Sequence, residues 1–169
     1  MMKKIVITGP ESSGKTTLAK NLSQALGVNF VQEFVREYAQ GVNRSLDFGD
    51  LSHIAKGQVA NELNVLSSGP DILVCDTDFL TIDIWAKLKF NRRVEEVIQS
   101  DYWKGVDLYL LCKPDMPWQP DHLREDPNNR DLIYNFYKER LIYLGVRFEE
   151  VGGPVHVRLS TALGLIDNI

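Results

Sequence analysis

The sequence contains little cysteine and histidine, no long apolar run and no excess of positive charge. Its 169 residues include two cysteines and three histidines, and its net charge is −4. Cys75 and Cys112 each lie in or at the end of a short apolar run, which favours buried free thiols over a disulfide. No paired cysteines or histidines have the spacing of a zinc site. The sequence therefore disfavours disulfide-stabilised and zinc-binding classes of protein.

The charge and hydropathy patterns predict a cytoplasmic protein. A broad nucleic-acid surface usually requires a basic face, so we expect no nucleic-acid partner for this acidic chain. No stretch approaches the roughly 20 apolar residues that cross a bilayer. The apolar run before Thr8 is also shorter than a signal-peptide core, which needs about 7–15 residues. We therefore expect no membrane partner, whereas the oligomeric state is not determined.

Short buried runs alternate with helical patterns, which is typical of βαβ units. This alternation predicts an α/β fold in one domain over residues 1–169, with a parallel sheet and helices on both faces. Strands are predicted at 3–8, 28–32, 72–75, 108–112 and 146–151. Helices are predicted at 15–26, 33–40, 50–66, within 79–99 and at 131–144 with Asp131 as its cap, and Pro154 is predicted to open a C-terminal helix that carries Val155 to Ile166.

The 113–130 segment contains four prolines and many charges between the fourth strand and the next helix. A segment of this length without regular structure is usually functional or disordered. Ligands of parallel sheets bind beyond the carboxyl ends of the strands, where 9–16 and 76–78 also lie. We therefore predict that 113–130 forms a mobile lid over a site at this edge.

Residues 9–16, GPESSGKT, match the phosphate-loop pattern G-x-x-x-x-G-K-[ST] completely. The motif follows a predicted strand and opens a predicted helix, where backbone N–H groups converge on phosphate oxygens. We predict that Lys15 reaches the β- and γ-phosphates and that the Thr16 hydroxyl ligates Mg²⁺. ATP and Mg²⁺ are the expected cofactors. The predicted nucleotide contacts in the loop are Gly9, Glu11, Ser12, Ser13, Gly14, Lys15, Thr16 and Thr17.

Two carboxylates follow the third predicted strand. Asp76 is a candidate Mg²⁺ ligand opposite Thr16, as a Walker B aspartate is, and the alternative is a cap for the helix that starts near Phe79. Asp78 is a candidate ligand of a substrate hydroxyl or a helix cap, and the sequence favours neither. In an extended backbone the two aspartates would share a face, whereas in a turn they would not.

The chain has no N-K-x-D motif for guanine and little room for the helical lid domain of a ring ATPase. A small-molecule kinase needs an acceptor site, a base and cations over the transferred phosphoryl group. Glu33 is a candidate base, or a carboxylate at a helix start. Arg36, three residues later, is a candidate substrate contact, or half of a surface ion pair.

The predicted lid supplies further candidates. Arg124 and Arg130 are predicted to close over the phosphates and to exclude water, or else to be solvated loop charges. Trp118 is predicted to stack on a flat ring of the substrate, or to anchor the loop against the body. His122 is a weaker candidate for a ligand contact. The candidate catalytic residues are thus Lys15, Glu33, Asp76 and Arg124.

Five segments in order resemble the ribosylnicotinamide kinase domain of NadR-type NAD-salvage proteins. They are ITGPESSGKTTLA, QEFVREYA, IAKGQ, VCDTD and LLCKPDMPWQPDHLRE, and they cover most of the chain from Ile5 to Arg130. The resemblance implies a P-loop kinase fold with sheet order 2-3-1-4-5. It also implies ATP-dependent phosphorylation of the nicotinamide riboside 5′-hydroxyl, which gives nicotinamide mononucleotide. The residues of this chain that occupy the functional positions of the family motifs are Lys15, Thr16, Glu33, Arg36, Asp76, Asp78, Trp118, Asp121 and Arg124.

Two departures from the family pattern qualify these expectations. The lid reads D-H-L-R where the family pattern has D-G-L-R, which makes position 122 less flexible. The chain has no room for adenylyltransferase and helix-turn-helix domains, so we expect it neither to make NAD nor to bind operator DNA. Two alternatives stay open: a kinase for another nucleoside, nucleotide or small alcohol, and a regulatory module that hydrolyses ATP slowly.

Overall fold

A computed structural model describes residues 2–121, 123–125 and 127–169 of the chain, so the prediction for His122 lies outside the described residues. The strands are β1 (Lys3–Thr8), β2 (Phe30–Val31), β3 (Ile72–Asp76), β4 (Leu108–Cys112) and β5 (Phe148–Val151). The helices are α1 (Lys15–Leu26), α2 (Phe34–Gln40), α3 (Phe48–Leu66), α4 (Phe79–Phe90), α5 (Glu95–Gln99), α6 (Arg130–Leu144) and α7 (Val155–Ile166). A 3₁₀ turn spans Tyr102–Gly105.

The five strands form one parallel sheet in the order β2-β3-β1-β4-β5. This confirms the predicted order 2-3-1-4-5. β1 lies at the centre of the sheet, where Ile5 is paired with Val74 of β3 on one side and with Leu108 of β4 on the other. The phosphate-loop motif therefore emerges between the strand that ends in Asp76 and the strand that leads into the lid.

Alternate side chains of β1 enter different halves of the core, as the period of a strand requires. Ile5 and Ile7 pack with Leu22 of α1 and Ala162 of α7. Val6 faces the opposite side, where side chains from α4 and α6 pack against the sheet. The predicted three-layer arrangement with helices on both faces is thus confirmed.

A third apolar cluster lies beside the sheet and contains side chains from the four helices α2, α3, α4 and α5. Its buried members include Val35, Leu51, Ile54, Phe79 and Val97. This cluster fixes α2, α3 and α4 around one end of the sheet and so builds the walls of the site described below. Within the described ranges, no helix is both long and apolar enough to cross a bilayer.

Several predicted boundaries differ from the structure. The strands predicted at 28–32 and 146–151 are shorter in the structure, where they span Phe30–Val31 and Phe148–Val151. Helix α6 begins at Arg130, so its N-cap position is occupied by Asn129 and the prediction that Asp131 caps it is wrong. Asp131 instead lies in the first turn, where a negative charge still favours the helix dipole.

Helix α3 begins two residues earlier than predicted because of a cap that the sequence analysis did not find. Asp47 accepts N–H groups from Gly49 and Asp50, and the Asp50 carboxylate accepts the Asp47 N–H in return. This reciprocal pair is a capping box. Gly27 follows α1 and Gly145 follows α6, and both have the left-handed conformation that favours glycine after a helix.

Candidate functional site

The loop between β1 and α1 has the compact form that a phosphate-binding loop requires. Gly9 has φ +136°, and a Cβ there would lie 2.8 Å from the Cys112 carbonyl oxygen of β4. Gly14 has φ +82°, and a Cβ there would lie 2.5 Å from the Met116 sulfur. Both glycines are therefore needed for their conformation and for close packing. Lys15 Nζ donates to the Pro10 carbonyl at 2.8 Å, so the ammonium lies within the curve of the loop.

Thr16 and Asp76 meet, as the predicted Mg²⁺ site requires. The Thr16 hydroxyl donates to Asp76 Oδ2 at 2.6 Å. Asp76 is 1% exposed, and its other oxygen, Oδ1, has no hydrogen-bond partner within the part of the chain that the structure describes. A buried carboxylate oxygen without a partner is costly unless a ligand satisfies it. A hydroxyl beside such an oxygen is the hard oxygen chemistry that Mg²⁺ prefers, so these residues fit the ion.

A turn separates Asp78 from Asp76. Thr77 has φ +67°, an uncommon conformation for a residue with a Cβ, and the two aspartates therefore do not share a face. Asp78, not Asp76, caps α4: its Oδ1 accepts the Leu80 N–H at 2.9 Å, and its Oδ2 accepts the Tyr109 hydroxyl at 2.7 Å. The capping alternative for Asp78 is thus confirmed, and that for Asp76 is wrong. Burial raises the pKa of Asp78 to about 6.

Glu33 occupies the N-cap position of α2, yet its side chain makes no capping hydrogen bond. Its Oε2 lies 3.3 Å from Arg36 Nε, so the two candidates of this segment do meet. Burial raises the pKa of Glu33 to about 7, and the negative charge of Asp76 adds to this effect, while Lys15 and Arg36 oppose it. Burial raises the pKa of Asp76 as well. The Glu33 carboxylate therefore holds or releases a proton near neutral pH.

Two cavities adjoin at this edge of the sheet. The first, the loop cavity, has a volume of about 150 Å³ and follows residues 11–17 under the lid residues Gln119 and Arg124. The second, the apolar cavity, has a volume of about 160 Å³ and lies among α2, α3, α4 and α6. Side chains that line both cavities are Glu11, Lys15, Glu33, Val35 and Trp85.

The described residues of the 113–130 segment lie across these cavities and are held to three other elements. The Ser12 hydroxyl accepts the Gln119 N–H at 2.9 Å, which fixes the lid to the phosphate loop. Asp121 Oδ2 lies 3.2 Å from Arg36 Nη1 of α2 and 3.0 Å from Arg124 Nε. Lys89 of α4 donates to the Glu125 carboxylate at 2.8 Å. The lid prediction is thus consistent with its position, although its mobility stays a prediction.

Arg130 and Trp118 face each other, away from the lining of both cavities. Arg130 donates to the carbonyls of Ser12 at 3.1 Å and Met116 at 2.8 Å. Its guanidinium lies 5.8 Å from the centre of the Trp118 ring. These contacts match the loop-anchor alternative for Trp118 and give Arg130 a role in bracing the loop backbone. Direct contacts of either residue with a ligand stay predictions.

Trp85 is an aromatic residue of the site that the sequence analysis missed. It lies on α4 and lines both cavities. The available signal was helical spacing, because Asp78, Thr81, Trp85 and Leu88 recur every three or four residues and line the same cavity.

Arg158 is a second missed residue, and it braces the site from behind. It is 2% exposed, and it donates to the carbonyls of Ser13 at 2.8 Å, Lys113 at 3.0 Å and Gly153 at 2.8 Å. It also pairs with Asp115, whose other oxygen accepts the Gly153 N–H at 2.7 Å. One guanidinium therefore joins the phosphate loop, the start of the lid and the loop before α7. An arginine on the last helix carries no local signal for this role.

A protein-family model described as an AAA domain matches residues 4–158. The chain belongs to this family. A curated relative from Salmonella typhimurium, the trifunctional NAD biosynthesis/regulator protein NadR, is 29% identical over 158 residues, which are 89% of this chain and 38% of the relative. The same protein of Escherichia coli is 29% identical over 129 residues, which are 73% of this chain and 31% of that protein. The chain thus spans less than two-fifths of either relative.

Solved structures agree with the observed fold. A crystal structure of NadR protein in complex with NR has a TM-score of 0.83 at 21% identity, over 99% of this chain and 50% of that one. Thymidylate kinase from Ehrlichia chaffeensis has a TM-score of 0.68 at 12% identity, over 98% of both chains. At these identities the likeness establishes the fold, which is that of the P-loop kinases. The AAA-domain chain therefore has the predicted fold class.

Arg158→Met is predicted to weaken ATP binding by about tenfold or more. The change leaves three carbonyls and Asp115 without their shared donor, and each unsatisfied buried group costs about 1–3 kcal/mol, so the phosphate loop shifts. Calorimetric titration with a non-hydrolysable ATP analogue measures the effect. Arg147→Met, an exposed arginine in the turn before β5, is the matched control. Unchanged affinity in folded Arg158→Met protein would contradict the bracing role.

Proposed function

We propose that this chain transfers the γ-phosphoryl group of ATP to the 5′-hydroxyl of nicotinamide riboside and so forms nicotinamide mononucleotide. The observation that carries this proposal is that Lys15 and Glu33 line both cavities. The loop cavity would hold the triphosphate, and the apolar cavity would hold the alcohol. Lys15 can bind phosphate, and Glu33 is a carboxylate with a raised pKa; both lie where the two cavities adjoin. The relatives named NadR, and the NadR structure with NR, support nicotinamide riboside as the alcohol.

The loop cavity has the donors that a triphosphate needs. Backbone N–H groups at the start of α1, together with Lys15, bind its oxygens. Thr16 and Asp76 are the proposed Mg²⁺ ligands, and the bound ion supplies positive charge that stabilises the phosphate oxygens. Arg124 lines this cavity from the lid and is proposed to stabilise charge on the transferred group.

Glu33 is the proposed base. Its carboxylate accepts the proton of the 5′-hydroxyl as that oxygen bonds to the γ-phosphorus and the bond from the γ-phosphorus to the β,γ-bridging oxygen breaks. Arg36 and Asp121 hold Glu33 and the lid together. The lid over residues 113–130 excludes water, which limits ATP hydrolysis without an acceptor.

The apolar cavity suits a flat ring. Trp85 presents an aromatic side chain to it, and Ile54, Ile82 and Leu88 provide apolar surface. We propose that Trp85 packs against the ring of the acceptor. Asp78 also lines this cavity, and its proposed substrate contact uses the lone pairs that Leu80 and Tyr109 leave on its oxygens.

The proposal predicts acceptor-dependent release of ADP. The purified chain is incubated with Mg²⁺, ATP and one acceptor from a panel that includes nicotinamide riboside, thymidine, cytidine and thymidylate. Mass spectrometry is expected to identify nicotinamide mononucleotide as the main product. A different phosphorylated product would identify another acceptor, and ATP loss that no acceptor changes would indicate a slow regulatory ATPase.

Lys15→Ala is predicted to remove turnover, with kcat at least about a thousandfold lower, because the ammonium stabilises the transferred phosphoryl group. A coupled ADP assay with nicotinamide riboside measures this loss. Lys20→Ala, on the exposed face of the same helix, is the control and is expected to keep normal turnover. Near-normal kcat in Lys15→Ala would be incompatible with the proposed role.

Glu33→Gln is predicted to lower kcat and to remove a pH-dependent limb of the rate. A base accepts a proton only when it is ionised, so kcat/KM of the native chain should rise as pH increases through about 7. The glutamine variant should show no such limb. Glu37→Gln, exposed on the same helix, should retain the native profile. If Glu33→Gln retains both the limb and the native kcat, Glu33 is not the base.

A further inference from the structure

Gln58 is a buried polar residue of α3 for which the proposed chemistry supplies no role. It is 5% exposed and lines the apolar cavity. Its Oε1 accepts the Phe34 backbone N–H at 2.9 Å. Because an N–H pairs only with an acceptor, this bond determines which end of the amide is oxygen. The NH₂ group is the end that is left for a ligand.

Gly57 allows Gln58 to make this contact. A Cβ at Gly57 would lie 2.1 Å from the Phe34 ring, so the ring packs directly against the backbone of α3. Phe34 directly follows Glu33 in the chain. The amide end of Gln58 is therefore fixed next to the segment that carries the proposed base.

The surroundings of the amide are mainly apolar. The one side-chain hydrogen bond of Gln58 to a described residue is made by Oε1, so it leaves Nε2 unused. Ile54, one helical turn before Gln58, and Val35 of α2 line the same cavity. Gln58 also borders a more open cavity, but there Lys4 and Glu62 already pair with each other at 2.6 Å.

A donor between apolar walls matches one class of ligand group. A sugar would bring several hydroxyls, each of which needs a partner when it is buried. A flat ring with a carbonyl-bearing substituent offers apolar faces to these walls and one acceptor to the Gln58 NH₂ group. The carboxamide oxygen of a pyridine ring is such an acceptor.

We infer that Gln58 is a specificity residue whose Nε2–H donates to the carbonyl oxygen of the ring substituent of the acceptor. This inference rests on the proposed function. In this orientation the ring of the acceptor lies against α3 in the apolar cavity. Its 5′-hydroxyl lies where the apolar cavity adjoins the loop cavity.

Gln58→Glu separates the two hydrogen-bonding functions of the side chain. Glutamate keeps an oxygen that accepts the Phe34 N–H, but it has no NH₂ donor when ionised. The experiment measures kcat/KM for nicotinamide riboside and for the pyridinium riboside that lacks the carboxamide. Both rings carry the same positive charge, so the ratio of the two values cancels the attraction of the new carboxylate. The KM for ATP is measured alongside.

The native chain is expected to prefer nicotinamide riboside, and Gln58→Glu is expected to reduce that preference by about tenfold, the effect of one lost neutral hydrogen bond. The KM for ATP should stay within about twofold. Gln58→Met, which lacks both polar atoms, should reduce the preference equally and replaces Gln58→Glu if that variant does not fold. Gln24→Glu, exposed on α1, is the control.

The outcomes distinguish the two proposals. If the native chain phosphorylates nicotinamide riboside and the preference is the same in the Gln58 variants, the assignment of Gln58 is wrong while the kinase proposal stands. An equal loss for both acceptors, or a matching rise in the KM for ATP, would identify Gln58 as a structural support for α2 and would also overturn the assignment. If the native chain phosphorylates neither riboside, both proposals fail.

Discussion

The hydrogen bond between Thr16 and Asp76 joins the phosphate loop to the neighbouring strand, and the arrangement of the whole site depends on it. Thr16 lies at the start of α1 and Asp76 at the end of β3, so the bond crosses from one strand connection to the next. Because β1 and β3 are parallel neighbours, both connections leave the sheet at the same edge. Asp76 Oδ1, which has no partner among the described residues, is thereby held beside the loop, where a phosphate-bound cation would lie.

The site combines a rigid base with a lid that is held by polar contacts. Arg158 braces the phosphate loop from behind with hydrogen bonds made almost entirely out of contact with solvent. The lid, by contrast, is held by Arg36, Lys89 and the Ser12 hydroxyl through contacts at the surface or half-buried. Surface ion pairs contribute little to stability, typically about 0–1 kcal/mol each. Such a division lets a lid open for substrates while the phosphate-binding backbone keeps its shape.

The raised pKa of Glu33 follows from the same geometry. Asp76 is buried and Glu33 is largely shielded from solvent nearby, and this burial disfavours the charged form of each. Lys15 and Arg36 offset part of this cost. A carboxylate in this balance can change its protonation near neutral pH, which an exposed glutamate does not do. The raised pKa of the proposed base therefore results from the packing of α2 against the loop and not from the residue type alone.

The sequence by itself determined the phosphate loop, the order of strands implied by the family resemblance, and Lys15, Thr16 and Asp76. The loop and these three residues depend on local spacing, namely a glycine pattern after a strand and a carboxylate at a strand end, whereas the strand order came from the resemblance. Only the tertiary structure decided that Asp78 caps α4, because the left-handed turn at Thr77 leaves no pattern in the residue types. It also brought Gln58 of α3 and Arg158 of α7 to the site, and these two helices lie far apart in the chain. A side chain that reaches a site across the fold is selected by packing, and packing between distant segments has no periodic signal along the sequence.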